Sequence, residues 1–405
     1  MHRFCSLRSL IHHGCALLAC LVLCISAALA QGTAVSIGGA LRDHNDEIWG
    51  RVVQLAGGAG ARFAVFGTAS ENPDGSAAAN IAMLQKHGAV ATHVRVAPQI
   101  PGIDLAAAVR DPQWIAAVGG ARGIFFGGGD QSRIVDTLAP GGVPSPLLLA
   151  IREVLAAGGV VAGSSAGAAV MSELMFTGGE PLAVMQGRAG VVHREGLAFI
   201  KRGVLIDQHF LKRGRIARML ALMQGQGITL GLGVEEDSAI VVRGDEVEVI
   251  GRKGALLVDM NEATSDATLG AFNVRGARLS YLERGDRVNL ATREITPAPA
   301  KRSGRLVKAG APGFRPYFEG DVFFADMLGD FTVVNAMTRL VDSALPEVRG
   351  LSFNAKNQDE LAFEWRLTRG ADTSAWSIGD DYSVVAVRLD VQPVRLARPL
   401  YTPWR

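Results

Sequence analysis

From residue 33 to about residue 259, short β-rich runs alternate with helical ones. Residues 62–67, Arg-Phe-Ala-Val-Phe-Gly, read as a buried strand, and similar runs occupy 92–96, 123–126 and 159–162. Between them, residues 76–87, 111–118 and 144–157 have helical character, and 166–175 reads as the helix that follows the last of these strands. Crossovers of this length predict a mostly parallel, flavodoxin-like α/β sheet with helices on both faces, and in such sheets the active site lies outside the carboxyl ends of the strands. After Gly233 the texture changes to residues 239–242, a Gly244-Asp245 turn and residues 247–250, which predict a hairpin closing the sheet. Residues 297–316 are rich in Pro, Gly, Lys and Arg and read as a connector or surface loop. Beyond them 331–343 suggests a helix, while 361–367 and 382–391 alternate like strands. The expected organisation is a catalytic α/β domain over 31–270 and a smaller accessory domain with strands over 271–405.

The first thirty residues stand apart from this pattern. Arg3 and Arg8 precede an apolar stretch from about 15 to 28, and Ala28-Leu29-Ala30 precedes Gln31, as in a secretory signal peptide cleaved after Ala30. Leu17-Leu18-Ala19-Cys20 is loosely like a lipid-attachment box, although apolar sequence continues past Cys20. All four cysteines, Cys5, Cys15, Cys20 and Cys24, fall in this leader, so the expected mature chain has no disulfide, no Cys-ligated metal and no Cys nucleophile. The whole chain carries 41 Lys+Arg and 39 Asp+Glu, and losing Arg3 and Arg8 leaves 39 against 39. That balance offers no electrostatic footprint for nucleic acid or an anionic membrane, and no second apolar run is long enough to span a bilayer. The expectation is a secreted or periplasmic protein with a zwitterionic or uncharged target.

Candidate chemistry centres on Gly163-Ser164-Ser165-Ala166-Gly167, where an apolar strand turns through Gly-x-Ser-x-Gly. A serine on so tight a turn has its hydroxyl pushed out of the sheet edge; the alternative is a glycine-rich packing turn. The hydroxyl needs a base, and the base needs an orienting group. Past the leader the histidines are His44, His87, His93, His193 and His209. His209 is the best placed, near the end of the β-type run 203–210, whereas His87 and His93 flank a loop beside a helix end. Glu235, Glu236 and Asp237 follow another apolar run, and one of them can hold the imidazole tautomer, unless the triplet is an ordinary acidic turn. Gly127-Gly128-Gly129-Asp130-Gln131 follows a strand and can supply backbone N–H groups that form an oxyanion hole with the N–H of Ala166.

Four elements in this order resemble the cyanophycinase family of serine peptidases, whose relatives include aspartyl dipeptidases. They are Gly128-Gly129-Asp130-Gln131, Gly163-Ser164-Ser165-Ala166-Gly167-Ala168, Asp207-Gln208-His209-Phe210 with Arg213, Arg215 and Arg218, and Gly233-Val234-Glu235-Glu236-Asp237. The resemblance spans about residues 33–260. Ser164, where the family often has Thr, and the long extension after about residue 270 depart from it. It implies a sheet related to class I glutamine amidotransferases, with Ser165 as nucleophile, His209 as base and Glu236 as orienting acid. It also implies Gln131, Asp207, Gln208, Arg213, Arg215 and Arg218 along the substrate groove, no cofactor, and a possible homodimer. The implied substrate is cyanophycin, a poly-aspartate with arginine on each β-carboxyl, released as β-Asp-Arg dipeptides. Fixed arginines can take its carboxylates and acids such as Asp207 its guanidinium groups; the alternative is that the three arginines form a solvated helix face. Competing functions are hydrolysis of other aspartyl peptides and non-catalytic polymer binding.

Overall fold

The computed structural model describes residues 32–402 except 191, 201–202, 357–359 and 380. The leader, with its expected cleavage site after Ala30 and the box at Cys20, lies outside the described residues.

Five strands, β1 (Thr33–Ile37), β2 (Arg62–Phe66), β3 (Val90–His93), β4 (Gly123–Phe126) and β5 (Val160–Ser164), run parallel in the order β3-β2-β4-β5-β1. Chain direction across the sheet reverses between β3 and β4, which creates a crevice beyond the carboxyl ends of β2 and β4. Successive side chains point to opposite faces, as the pleat requires. Phe63 and Val65 join a core with Ile48, Trp49 and Val52 of helix α1 (Asp46–Leu55) and Leu84 of α2 (Pro73–Lys86). Ala64 and Phe66 join the opposite core, with Ile134 of α3 (Gln131–Leu138) and Leu147, Leu148 and Ile151 of α4 (Pro146–Ala156). Burying both faces explains why these strands are continuous apolar runs. Local chemistry sets the helix starts: the Asn45 side chain accepts from Ile48 N, with Asp46 and Glu47 in the first turn, and Ser145 accepts from Leu148 N ahead of Pro146. The expected α/β class holds.

The helix expected over 166–175 is a single short one, α5 (Ala166–Ala169), followed by β6 (Leu174–Phe176), which pairs with β7 (His193–Glu195). Backbone carbonyls that would continue the helix are taken by another segment: Leu197 N donates to Val170 O and Ile200 N to Met171 O. Tertiary hydrogen bonds outcompete local helix propensity here.

A second sheet begins with the parallel pair β8 (Val204–Gln208) and β9 (Leu230–Val234), joined by α6 (Ile216–Gln226). The hairpin of β10 (Ser238–Arg243) and β11 (Glu246–Gly251) returns to the first sheet, where β10 lies antiparallel to β1. β12 (Ala255–Asp259) then pairs with β9, and β13 (Val274–Leu282) pairs with β12. β14 (Arg287–Asn289) and β15 (Ile295–Thr296) extend the first sheet past β11, so the hairpin does not end it. β16 (Arg305–Val307), β17 (Phe323–Phe324), β18 (Glu347–Ser352), β19 (Leu361–Ile378) and β20 (Asp381–Arg395) complete the second sheet, under α7 (Thr332–Val341). The expected division at residue 270 therefore falls between two strands hydrogen-bonded to each other, β12 and β13. β19 and β20 outrun their apolar stretches because backbone pairing continues through a bulge at Arg369/Ser374, where the side chains need no core.

Candidate active site

Beyond β5 the chain turns at Ser165 with φ 54° and ψ −111°, a conformation that costs a non-glycine residue free energy unless its surroundings enforce it. Enforcement comes from close packing. A Cβ on Gly163 would lie 2.4 Å from the carbonyl carbon of Gly167, and one on Gly167 would lie 2.4 Å from Phe126 O, so both must be glycine for α5 to seat against β4 and β5. Ser165 N donates to Ile37 O (3.0 Å), tying the turn to β1. The hydroxyl is left at the carboxyl ends of the parallel strands.

His209 follows β8, also at positive φ (48°), and its N–H donates to Gly38 O (2.7 Å). Its Nε2 lies 2.9 Å from Ser165 Oγ, and its Nδ1 lies 2.6 Å from Glu236 Oε1. The carboxylate accepts a hydrogen bond from Nδ1–H, which leaves Nε2 to accept from the serine hydroxyl. Sequence reading overlooked what holds the ring in place: a Cβ on Gly39 would sit 2.3 Å from Nε2, so the Gly38-Gly39 pair ending β1 is a cradle for the imidazole. Its signal was visible as two glycines directly after an apolar strand. Gly39 O also accepts from Asp237 N (2.9 Å), so one loop stitches the two sheets together at the site.

Each acid of the triplet has a separate task. Buried Glu235 accepts from Leu211 N (2.7 Å) and Lys212 N (3.0 Å), bracing the turn after His209, and burial raises its pKa. Glu236 meets His209. Asp237 accepts from Asn45 Nδ2 (2.8 Å) and Arg42 N (3.1 Å), anchoring the loop to the start of α1. The triplet is therefore no ordinary acidic turn.

Burial pulls the His209 imidazole below its usual pKa; the Glu236 hydrogen bond opposes this, and the Arg213 and Arg215 charges add to the lowering. The ring is therefore neutral at pH 7, as a base must be. Removing a nearby positive charge raises its proton affinity. Arg213→Gln is expected to move the acid limb of the kcat/KM profile to higher pH, because activity requires neutral His209 and is lost as pH falls through its pKa. A limb that stays in place in a pH–rate profile would show that the Arg213 charge does not reach the ring.

Gly128 faces the serine, since a Cβ there would lie 3.3 Å from Ser165 Cβ. Gly129, at φ 139°, passes close to Ala69 O, and Ala166 opens α5. Gln131, at the start of α3, donates from Nε2 to Phe176 O (2.6 Å). Arg213 is exposed and makes no side-chain hydrogen bond or ion pair among the described residues. The remaining groove candidates point inward. Arg218 holds Asp207 through two bonds, Nε to Oδ2 (2.8 Å) and Nη2 to Oδ1 (2.7 Å), with both side chains at most 3 % exposed. Arg218 also donates to Gly178 O (3.0 Å) and lies 4.2 Å from the Phe176 ring centroid. Arg215 donates to Asp207 Oδ1 (3.2 Å) and Gln208 O (2.6 Å), and burial lowers it to about 10, still charged at neutral pH. Asp207 and Arg218 are thus neither a solvated helix face nor free in a groove; they saturate each other. Gln208 is buried, with Oε1 lacking a partner among the described residues. Among the described residues no group of three or more His, Cys, Asp or Glu could hold a metal ion, and no helix is long and apolar enough to cross a membrane.

A strained serine, a neutral histidine within hydrogen-bond reach and a carboxylate behind it, on the strand ends of an α/β sheet, define a serine-type hydrolase. The pattern of peptidase family S51 matches residues 34–250. A cyanophycinase from Geminocystis herdmanii is 33% identical over 274 residues, covering 65% of this chain and 96% of that protein. A cyanophycinase from Trichormus variabilis is 31% identical over 278 residues, covering 66% and 89%. Among solved structures, a peptidase from an acI-B1 Actinobacterium overlaps with a TM-score of 0.48 at 19% identity, covering 64% of this chain and 97% of that one. The chain belongs to peptidase family S51, and it is a serine-type peptidase.

Proposed function

We propose that this peptidase hydrolyses cyanophycin at its aspartyl backbone, working from a chain end through an acyl-enzyme and releasing β-Asp-Arg. Ser165 Oγ attacks the scissile carbonyl as His209 Nε2 takes its proton, and Glu236 Oε1 accepts the Nδ1–H hydrogen bond and steadies the imidazolium. The N–H of Ala166, with that of Gly128 or Gly129, receives the oxyanion. On collapse of the tetrahedral intermediate the C–N bond breaks and His209 returns the proton to the leaving amine. Water, deprotonated by the same nitrogen, then cleaves the acyl ester and regenerates Ser165. The observation that carries the reading is the continuous Ser165–His209–Glu236 relay at 2.9 and 2.6 Å in a chain whose relatives are named cyanophycinases. Exposed Arg213 supports an acidic substrate, being the group available beside the triad for a carboxylate. Gln131 lies on the same strand-end rim and suits a polar contact. The basic, apolar leader supports action outside the cytoplasm.

The test is incubation with purified cyanophycin and mass spectrometry of the soluble products. β-Asp-Arg accumulating from the start, without longer intermediates, is expected. Longer fragments would overturn the chain-end mode, and an inert polymer beside cleaved Asp-X dipeptides would overturn the substrate.

A further inference from the structure

Behind the triad loop, outside the span matched by the family pattern, the second sheet and α7 enclose a cavity of about 550 Å³. Its volume falls in the range of small-molecule sites. Aromatic rings form the walls: Phe331 meets Tyr281 edge-on (5.5 Å), and Tyr317 meets Phe318 the same way (4.9 Å). Tyr281 and Glu283 bring polar groups to this part of the fold. The Tyr281 hydroxyl is buried against Gly254 with no hydrogen-bond partner among the described residues. Glu283 gives Oε2 to Lys301 (3.0 Å), but its Oε1 makes no hydrogen bond among the described residues. Lys301 cannot neutralise the site, because it also serves Asp286 (3.4 Å). Burial pushes the Glu283 carboxyl up to about 7, with Lys301 opposing and Asp381 and Asp286 adding to the rise. On the same lining the Arg339 guanidinium lies 4.5 Å from the Phe318 ring centroid and makes no ion pair among the described residues.

The geometry points to a second, non-catalytic site for an arginyl unit, with Glu283 meeting its guanidinium, the aromatic walls stacking on it, and Arg339 meeting its carboxylate. A planar, weakly hydrated guanidinium suits aromatic walls better than a strongly hydrated ammonium. An acid and an unpaired base on the lining of one cavity suit a zwitterion. This inference rests on the proposed function, because a polymer that displays arginyl groups in every repeat could be held here while another stretch is cleaved at Ser165. Contact between the two sites is short: Gly254 O accepts from Glu235 N (3.1 Å), and a Cβ on Gly254 would lie 2.9 Å from the Tyr281 hydroxyl.

The test uses the protein with Ser165→Ala, so that nothing is turned over, titrated calorimetrically with argininamide and N-acetylarginine. Both are expected to bind, the carboxylate-bearing probe more tightly. Glu283→Gln should weaken both about tenfold by losing a charge-assisted hydrogen bond. Tyr317→Ala, at a position 66% exposed where folding is safe, should weaken both about threefold. Arg339→Ala should weaken N-acetylarginine alone. Binding unchanged by both Glu283→Gln and Tyr317→Ala, binding abolished by Arg213→Ala, or lysinamide binding as tightly as argininamide would each overturn the proposal. Failure of the wild type to hydrolyse cyanophycin would overturn the function and leave these titrations to judge the site.

Discussion

Ser165→Ala is expected to slow peptide hydrolysis by about 10⁴-fold or more without unfolding the protein. The substitution removes one oxygen from a half-buried position and leaves the packing of Gly163 and Gly167 untouched. What disappears is the atom that His209 deprotonates, so Glu236 and any oxyanion donors have nothing to assist. Rates of β-Asp-Arg release from cyanophycin, compared at equal concentrations of folded enzyme, give the ratio, and circular dichroism checks the fold. A variant that keeps more than about one hundredth of the wild-type rate would place the nucleophile elsewhere.

Asp207→Ala is expected to destabilise the fold by about 3–5 kcal/mol, because it leaves the buried Arg218 guanidinium, and partly Arg215, without their counter-ion. The two guanidinium groups would then repel each other where little water can screen them. Urea unfolding measures the loss as a lower midpoint with an unchanged slope. Replacing both charges with apolar groups, as in Asp207→Leu with Arg218→Met, should recover much of it, since the penalty is the unpaired charge and not the missing bond. A substrate-contact role predicts the reverse: a raised KM on polymer with the unfolding midpoint in place. The same substitution therefore decides between scaffold and groove for the residue just ahead of the Gln208-His209 pair.

The parallel strands were legible in the chain because strands buried on both faces must be apolar throughout, as Gly123 to Phe126 is. The nucleophile was legible for a similar reason, since only glycine fits where Gly163 meets Gly167. Arg213, Arg215 and Arg218 were harder. Three basic residues at that spacing look alike in sequence, yet one is exposed and two are buried against Asp207, and that difference depends on β8 and α6 packing together. Gly38 and Gly39 escaped notice because their purpose is to leave space for a histidine 170 residues further on.

The sequence by itself determined the class of fold, through the periodicity of its apolar runs, and the types of group available for chemistry, through Gly-x-Ser-x-Gly, His209 and the acidic triplet. From the residues alone the choice among Glu235, Glu236 and Asp237 stayed open, since they are chemically near-equal and differ in direction. The family resemblance implied Glu236, and the tertiary structure placed it on His209 and gave the other two their bracing roles. It also decided that β13 and β16 to β20 join the sheet that carries His209, while β14 and β15 join the other. β-pairing is made by backbone groups that every residue shares, so the pattern of side chains could not announce the partner.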